Sequence, residues 1–173
     1  MRMWIQTLLA KITTRGALLL AALFSAAMLG SALVAQYGFN LHPCELCIAQ
    51  RYPYALIIIL GPGAAFGLQP GRLQRYALWA VALLFITDAG IAFYHSGVEL
   101  GWFPAPDACS SNSVPGQTLE EMRQAIMEAP LVHCDQAMVH IFGLSLAAWN
   151  SIAAMIAGVL TIYLARKSAH DVA

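Results

Sequence analysis

The sequence predicts an all-α membrane protein, a bundle of four transmembrane helices with one long outer loop that carries a short amphipathic helix. Three observations point there. The 173 residues are 60% hydrophobic and only 10% charged, against roughly 25% charged in a typical soluble domain. Their mean hydropathy is +0.66. Four apolar runs approach the about 20 residues that a helix needs to cross a bilayer. The size suits one membrane domain over residues 1–173. A formal net charge of +0 gives no basis for nucleic-acid binding, and none is expected.

The first run, 17–36, carries no charge. A charged start (Arg2, Lys11, Arg15) resembles that of a signal peptide. The run is longer than the usual core of about 7–15 residues, so it is expected to stay as a span. The second run, 52–68, is short and holds Gly61-Pro62-Gly63. It still counts, because spanning helices tolerate Pro and Gly where neighbours satisfy the backbone. The third, 76–98, has one formal charge, Asp88. The fourth, 141–165, again has none.

Charge layout orients this bundle. Arg2, Lys11, Arg15, Arg72, Arg75, Arg166 and Lys167 all fall on one side if four helices alternate. By the positive-inside rule that side is cytoplasmic, with both termini. Loops 37–51 and 99–140 then face outward, and they hold all four cysteines. In a bacterium this is the oxidising periplasmic side of the inner membrane.

The cysteines form two pairs. Cys44 and Cys47 follow Pro43, and Arg51 comes four residues later. A helix that begins near Pro43 puts Cys44, Cys47 and Arg51 on one face. The helix N-terminus and the guanidinium both favour a thiolate there. Cys109 lies in a Pro-, Ser- and Asn-rich stretch that reads as loop and should be reachable by another protein. Thr118-Leu119-Glu120-Glu121 is a capping box for a short amphipathic helix, which should end before Pro130. Cys134 follows. A disulfide to Cys109 would enclose 24 residues and stabilise by roughly 3–4 kcal/mol. A purely structural bridge is a fair reading of that pair alone. Zinc is a second reading of four cysteines near His42 and His133. The wide spacing of the second pair and an oxidising compartment speak against it, and no metal is expected.

Polar residues inside the apolar runs are candidates too. Asp88 sits near mid-depth, where an acid is costly and a functional candidate by default. It either moves protons or bonds a neighbouring helix. His95 lies near the outer end of its run, at the depth of Arg51. Ala22, Ala26 and Gly30 read as a packing stripe, and Asn150 as an interhelical hydrogen-bonder.

The stretch Pro43-Cys44-Glu45-Leu46-Cys47-Ile48-Ala49-Gln50-Arg51 resembles that of the disulfide bond formation protein B (DsbB) family. Tyr94-His95, Gly143-Leu144-Ser145-Leu146 and Trp149-Asn150 add to the resemblance, which covers nearly the whole chain. It implies a membrane enzyme that re-oxidises a periplasmic, thioredoxin-like oxidase of the DsbA type and passes the electrons to quinone, ubiquinone or menaquinone. By position, Cys109 would form the mixed disulfide with the partner. Cys134 would resolve it and communicate with Cys44. Cys47 would face the quinone, with Arg51 and His95 holding it. The physical logic agrees. DsbA-like oxidases are already strong oxidants, near about −120 mV, so re-oxidising one needs a still stronger acceptor such as quinone in the bilayer.

Three other readings compete. A specialised relative would serve one dedicated redox partner. A non-catalytic four-helix protein would carry two structural disulfides. A vitamin K epoxide reductase-type enzyme would place its Cys-x-x-Cys on the last helix, whereas here it follows the first run.

Overall fold

The computed structural model describes residues 12–106, 109, 118, 120, 134–137 and 139–170. Among them are helices α1 (Thr14–Gly38), α2 (Glu45–Ala49), α3 (Arg51–Gly67), α4 (Arg72–Glu99) and α5 (Leu146–His170). Strands β1 (His140–Ile141) and β2 (Leu144–Ser145) form a small antiparallel hairpin before α5. Apart from Thr118 and Glu120, the amphipathic helix expected after the capping box lies outside the described residues.

Three helices are long and apolar enough to cross a membrane. They are α1, α4 and the Leu146–Ser168 part of α5, with mean hydropathies of 2.2, 1.8 and 1.6. α3 has 17 residues, about 25 Å at the α-helical rise. The large apolar side chains turned outward, such as Leu23, Ile59, Phe66 and Leu83, are 66–73% exposed. Such a surface suits hydrocarbon, not water.

The helices run alternately up and down. Near one end Arg15 of α1 lies over the Phe66 ring of α3, 4.4 Å from its centroid. Thr14 also meets Ser168 of α5 there. At the other end Arg51, which opens α3, reaches Gln36 near the close of α1. α1 packs along α3, and α5 along α4. Phe24, Tyr54 and Phe85 meet edge to face in the middle, with ring centroids 5.8–6.5 Å apart.

The Gly61-Pro62-Gly63 sequence stays inside one helix. A Cβ on Gly61 would lie 2.7 Å from the Leu18 carbonyl oxygen and 3.0 Å from Ala22 Cβ. Gly61 therefore lets α3 touch the α1 backbone. The buried residues of α1 are Ala17, Leu18, Ala21, Ala22 and Ser25; Ala26 is exposed, and a Cβ on Gly30 would meet nothing within 4 Å. The expected Ala22–Ala26–Gly30 stripe thus holds only at Ala22, because the partner helix crosses at Gly61. The last carbonyls of α3 are served by buried Gln74, whose Nε2 donates to Ala64, Ala65 and Leu68 oxygens at 3.2–3.4 Å. Helix ends away from water need such partners.

The fourth apolar run does not start as a helix at residue 141. Phe142 and Gly143 both have positive φ, 51° and 81°, the pattern of a tight two-residue hairpin turn. Ser145 then caps α5, accepting from Ala148 N at 3.1 Å.

Candidate functional site

The cysteine end of the bundle is built around Cys44. Helix α2 starts two residues later than the Pro43 start the sequence suggests. Cys44 is its N-cap, and its Sγ accepts from Cys47 N at 3.3 Å. The helical run then breaks at Gln50 before α3 resumes at Arg51. Cys44 and Cys47 are free thiols with Sγ atoms 2.9 Å apart. His95 Nε2 lies 3.5 Å from Cys44 Sγ and 3.7 Å from Glu99 Oε1, one turn further along α4.

The second pair forms a disulfide, Cys109–Cys134, and both residues are buried. It shares one cluster with Cys44 and Val98, against which Leu46, Cys47 and Tyr94 pack. The expected ready access to Cys109 is not what the fold provides: Cys109 is 8% exposed and Cys134 1%. The reason lies at the end of α4. Gly101, at φ 73°, turns the chain back, and Trp102 N donates to Gly97 O at 2.8 Å. Phe103 covers Gly97, where a Cβ would meet its ring, and stacks on Tyr94 at 5.5 Å. Tyr94 Oη donates to Pro104 O at 2.8 Å. Residues 101–104 are thereby folded back onto the helix end, and the disulfide packs beside Val98 and Tyr94 there. Trp102 remains 66% exposed.

Beside the cysteines is a cavity of about 450 Å³, within the usual range for small-molecule sites. Cys44, Cys47, Gln50, Arg51, His95 and Asn150 line its polar side. Met28, Ala32, Leu41, Leu146 and Trp149 supply apolar walls. Arg51 does not bond to the cysteines. Its Nη1 donates to Gln36 Oε1 at 2.6 Å, while its buried Nε has no hydrogen-bond partner among the described residues. Three residues of this site escaped the sequence reading: Gln50, Tyr54 and Glu99. Helical spacing carried the signal, since Tyr54 is one turn after Gln50 and Glu99 one turn after His95.

The electrostatics separate the two thiols. Cys44 is drawn down to about 4, first by the hydrogen bond from Cys47, then by His95 and the Cys47 N–H, against the opposing effect of burial. The Cys47 thiol is pushed up, chiefly because it shares its proton with Cys44 and is itself buried beside that negative sulfur. Sequence reasoning favoured a thiolate in this pair through the helix start and Arg51. The fold favours Cys44, because Cys44 holds the cap and Arg51 is turned to Gln36. Above about pH 4 the reduced protein should thus carry Cys44 as thiolate. Site-resolved alkylation of Cys44 should be nearly independent of pH from 6 to 9, with Cys47 the slower site throughout. A Cys44 rate that climbs about tenfold per pH unit across that range would contradict this assignment.

Among the described residues, Cys44, Cys47 and His95 place three donor atoms within 4.8 Å of one another. The 2.9 Å sulfur separation suits a dithiol close to forming its bond.

Comparison with known proteins places this arrangement. The family model for disulfide bond formation protein DsbB matches residues 14–164. A disulfide bond formation protein B from Cupriavidus metallidurans is 31% identical over 161 residues, covering 88% of this chain and 93% of its own. The protein of that name from Burkholderia pseudomallei is 33% identical over 153 residues, 84% and 85% of the two chains. An uncharacterized protein of Rickettsia prowazekii is 29% identical over 124 residues, 70% of each. Because the match runs through all four long helices and both cysteine pairs, the chain belongs to the DsbB family, as a membrane thiol–disulfide oxidoreductase that generates disulfide bonds.

Proposed function

We propose that this protein takes electrons from a periplasmic, thioredoxin-like oxidase of the DsbA type and delivers them to a membrane quinone. The observation that carries this reading is the cavity that joins both free thiols to Arg51 and to apolar walls. A quinone needs this combination: a flat apolar body and polar oxygens that gain negative charge on reduction. Arg51 lines that cavity with its buried Nε lacking a hydrogen-bond partner among the described residues, and a guanidinium there would favour negative charge on such an oxygen. Bound there, quinone supplies a two-electron acceptor.

The chain's residues supply the rest. The partner's first thiol opens the Cys109–Cys134 disulfide to a mixed disulfide at Cys109, freeing Cys134, and the partner's second thiol then closes the partner's own disulfide and releases Cys109. Two electrons and two protons thus reach this pair, and the partner leaves oxidised. Packing of Cys134 against Cys44 supports the next exchange: with Cys44–Cys47 oxidised to its disulfide, Cys134 attacks Cys44, and the Cys134–Cys44 bond forms as the Cys44–Cys47 bond breaks and frees Cys47. Sulfur in that bond no longer shares the Cys47 proton, which removes the main cause holding the Cys47 thiol up. Cys47 can then ionise beside the cavity. Cys109 next attacks Cys134, closing the Cys109–Cys134 disulfide and releasing Cys44, and the Cys44–Cys47 dithiol forms its own disulfide as two electrons and two protons leave toward the acceptor.

In this reading α3 is a fourth span, so the domain has four spans with both termini cytoplasmic. Arg15, Arg72, Arg75, Arg166 and Lys167 at the end opposite the cysteines support that orientation. The test combines two measurements on purified protein. Reduced DsbA-type oxidase plus ubiquinone or menaquinone should yield quinol. A partner whose second cysteine is replaced by serine should accumulate a mixed disulfide with Cys109 of the wild-type protein. Partner oxidation without quinol, or no trapped species, would overturn the proposal.

A further inference from the structure

A line of hydrogen bonds leads from the middle of the bundle to the cysteine pair. It begins at Asp88 on α4, which is fully buried. Asn150 Nδ2 of α5 donates to Asp88 Oδ2 at 3.0 Å and to Gln50 Oε1 at 2.8 Å. On its other side Asn150 Oδ1 accepts from the Tyr54 hydroxyl at 2.6 Å. Gln50 Nε2 lies 2.8 Å from His95 Nδ1. The opposite ring nitrogen, Nε2, faces Cys44 Sγ.

The direction of this line is set from the Asp88 end. Each amide has one accepting oxygen and one donating NH2 group. With no proton on Oδ2, whether the carboxyl is ionised or protonated on its other oxygen, Asp88 Oδ2 only accepts, so Asn150 turns its NH2 that way. The same NH2 then needs the oxygen of Gln50. Gln50 is left with only its NH2 for the imidazole, so Nδ1 must accept. The ring proton stays on Nε2, directed at Cys44 Sγ and Glu99. Flipping any one amide would set donor against donor or acceptor against acceptor away from water.

We propose that Asp88 is a positioning residue for the thiol chemistry: by accepting from Asn150 it fixes, through Gln50, the His95 tautomer that presents Nε2–H to Cys44 Sγ. The inference rests on the proposed function for its role in turnover. Its direct readouts need neither quinone nor partner. The other ionisable groups facing Cys44 and His95 are Cys47 on α2 and Glu99 on α4, with Arg51 of α3 in the same cavity. All of them stay in place in the variants below.

Two substitutions separate an acceptor from a mere charge. Asp88→Asn keeps an oxygen where Oδ2 stood; Asp88→Leu removes it. In reduced, full-length protein labelled with 15N-histidine, the wild type should show His95 with a protonated Nε2 and a bare Nδ1. A His95→Gln sample identifies those signals. Asp88→Asn should keep this pattern and the wild-type pH profile of Cys44 alkylation. Asp88→Leu should give mixed tautomers and raise the Cys44 midpoint by roughly one pH unit, the scale of one lost hydrogen bond to a charged group. A wild-type ring protonated on Nδ1 overturns the proposal, even if the leucine variant fails to fold. So does an Asn variant as impaired as the Leu variant, or a Leu variant with the wild-type tautomer and profile. If the tautomer results hold while wild-type protein makes no quinol, the proposed function fails and this inference stands.

Discussion

Serine in place of Cys47 is expected to lower the rate of quinol formation by more than about 1,000-fold, the scale seen when a reacting nucleophile is removed. Cys44 would then have no partner with which to close a disulfide, and two electrons would stay in the protein. The Cys109–Cys134 pair should still accept electrons from a partner, so a single stoichiometric round of partner oxidation is expected without turnover. Arg51→Ala should act differently. It removes the buried donor facing the cavity and should lower kcat by about 100-fold, the usual cost of losing one charge-stabilising group. Both thiols remain, so alkylation and the single partner round should be intact. Stopped-flow quinone absorbance with each variant checks both statements. Normal turnover in either variant would remove that residue from the quinone side of the site.

The second large effect is structural and sits at the far end of the bundle. Gly61→Ala places a Cβ 2.7 Å from the Leu18 carbonyl oxygen, a backbone atom that cannot rotate away. α1 and α3 must separate, at a cost of about 1–3 kcal/mol. Gly63, two residues on, has nothing within 4 Å of its Cβ position. Gly63→Ala should therefore be neutral or mildly stabilising, since alanine is the better helix former. Thermal unfolding in detergent should show a lower midpoint for Gly61→Ala and none of that loss for Gly63→Ala. Equal behaviour of the two would mean that the close approach of α1 and α3 is not a source of stability.

Local pattern made much of this protein legible. The apolar runs announce the long helices, because a spanning helix must satisfy its backbone internally and show apolar side chains to lipid. The Pro-Cys-x-x-Cys stretch, Arg51 and His95 were readable as a site because their residue types are rare in such runs and share helical spacing. Element ends were less legible. Residues 141–145 look like helix by hydropathy, yet the positive φ at Phe142 and Gly143 makes a hairpin. Hydropathy does not report a turn.

What the sequence by itself determined is the class of molecule and the kind of chemistry: a membrane bundle with two cysteine pairs between its spans, of the DsbB family. Composition and spacing are sufficient for the bundle and its cysteine pairs, since both follow from single residues and their near neighbours, while the family is carried by the resemblance of the Pro43–Arg51 stretch. What only the tertiary structure decided is which sulfur carries the charge and what reaches it. Cys44 is the stabilised thiolate because a helix start, His95 of α4 and the Cys47 proton converge on it. Asp88 belongs to the same site because Asn150 and Gln50, 62 and 38 residues away in sequence (150 − 88 and 88 − 50), bridge it to His95. Polarity in a hydrogen-bond line depends on every donor and acceptor along it, and those come from three helices and the α2–α3 junction, which only the packed bundle brings together.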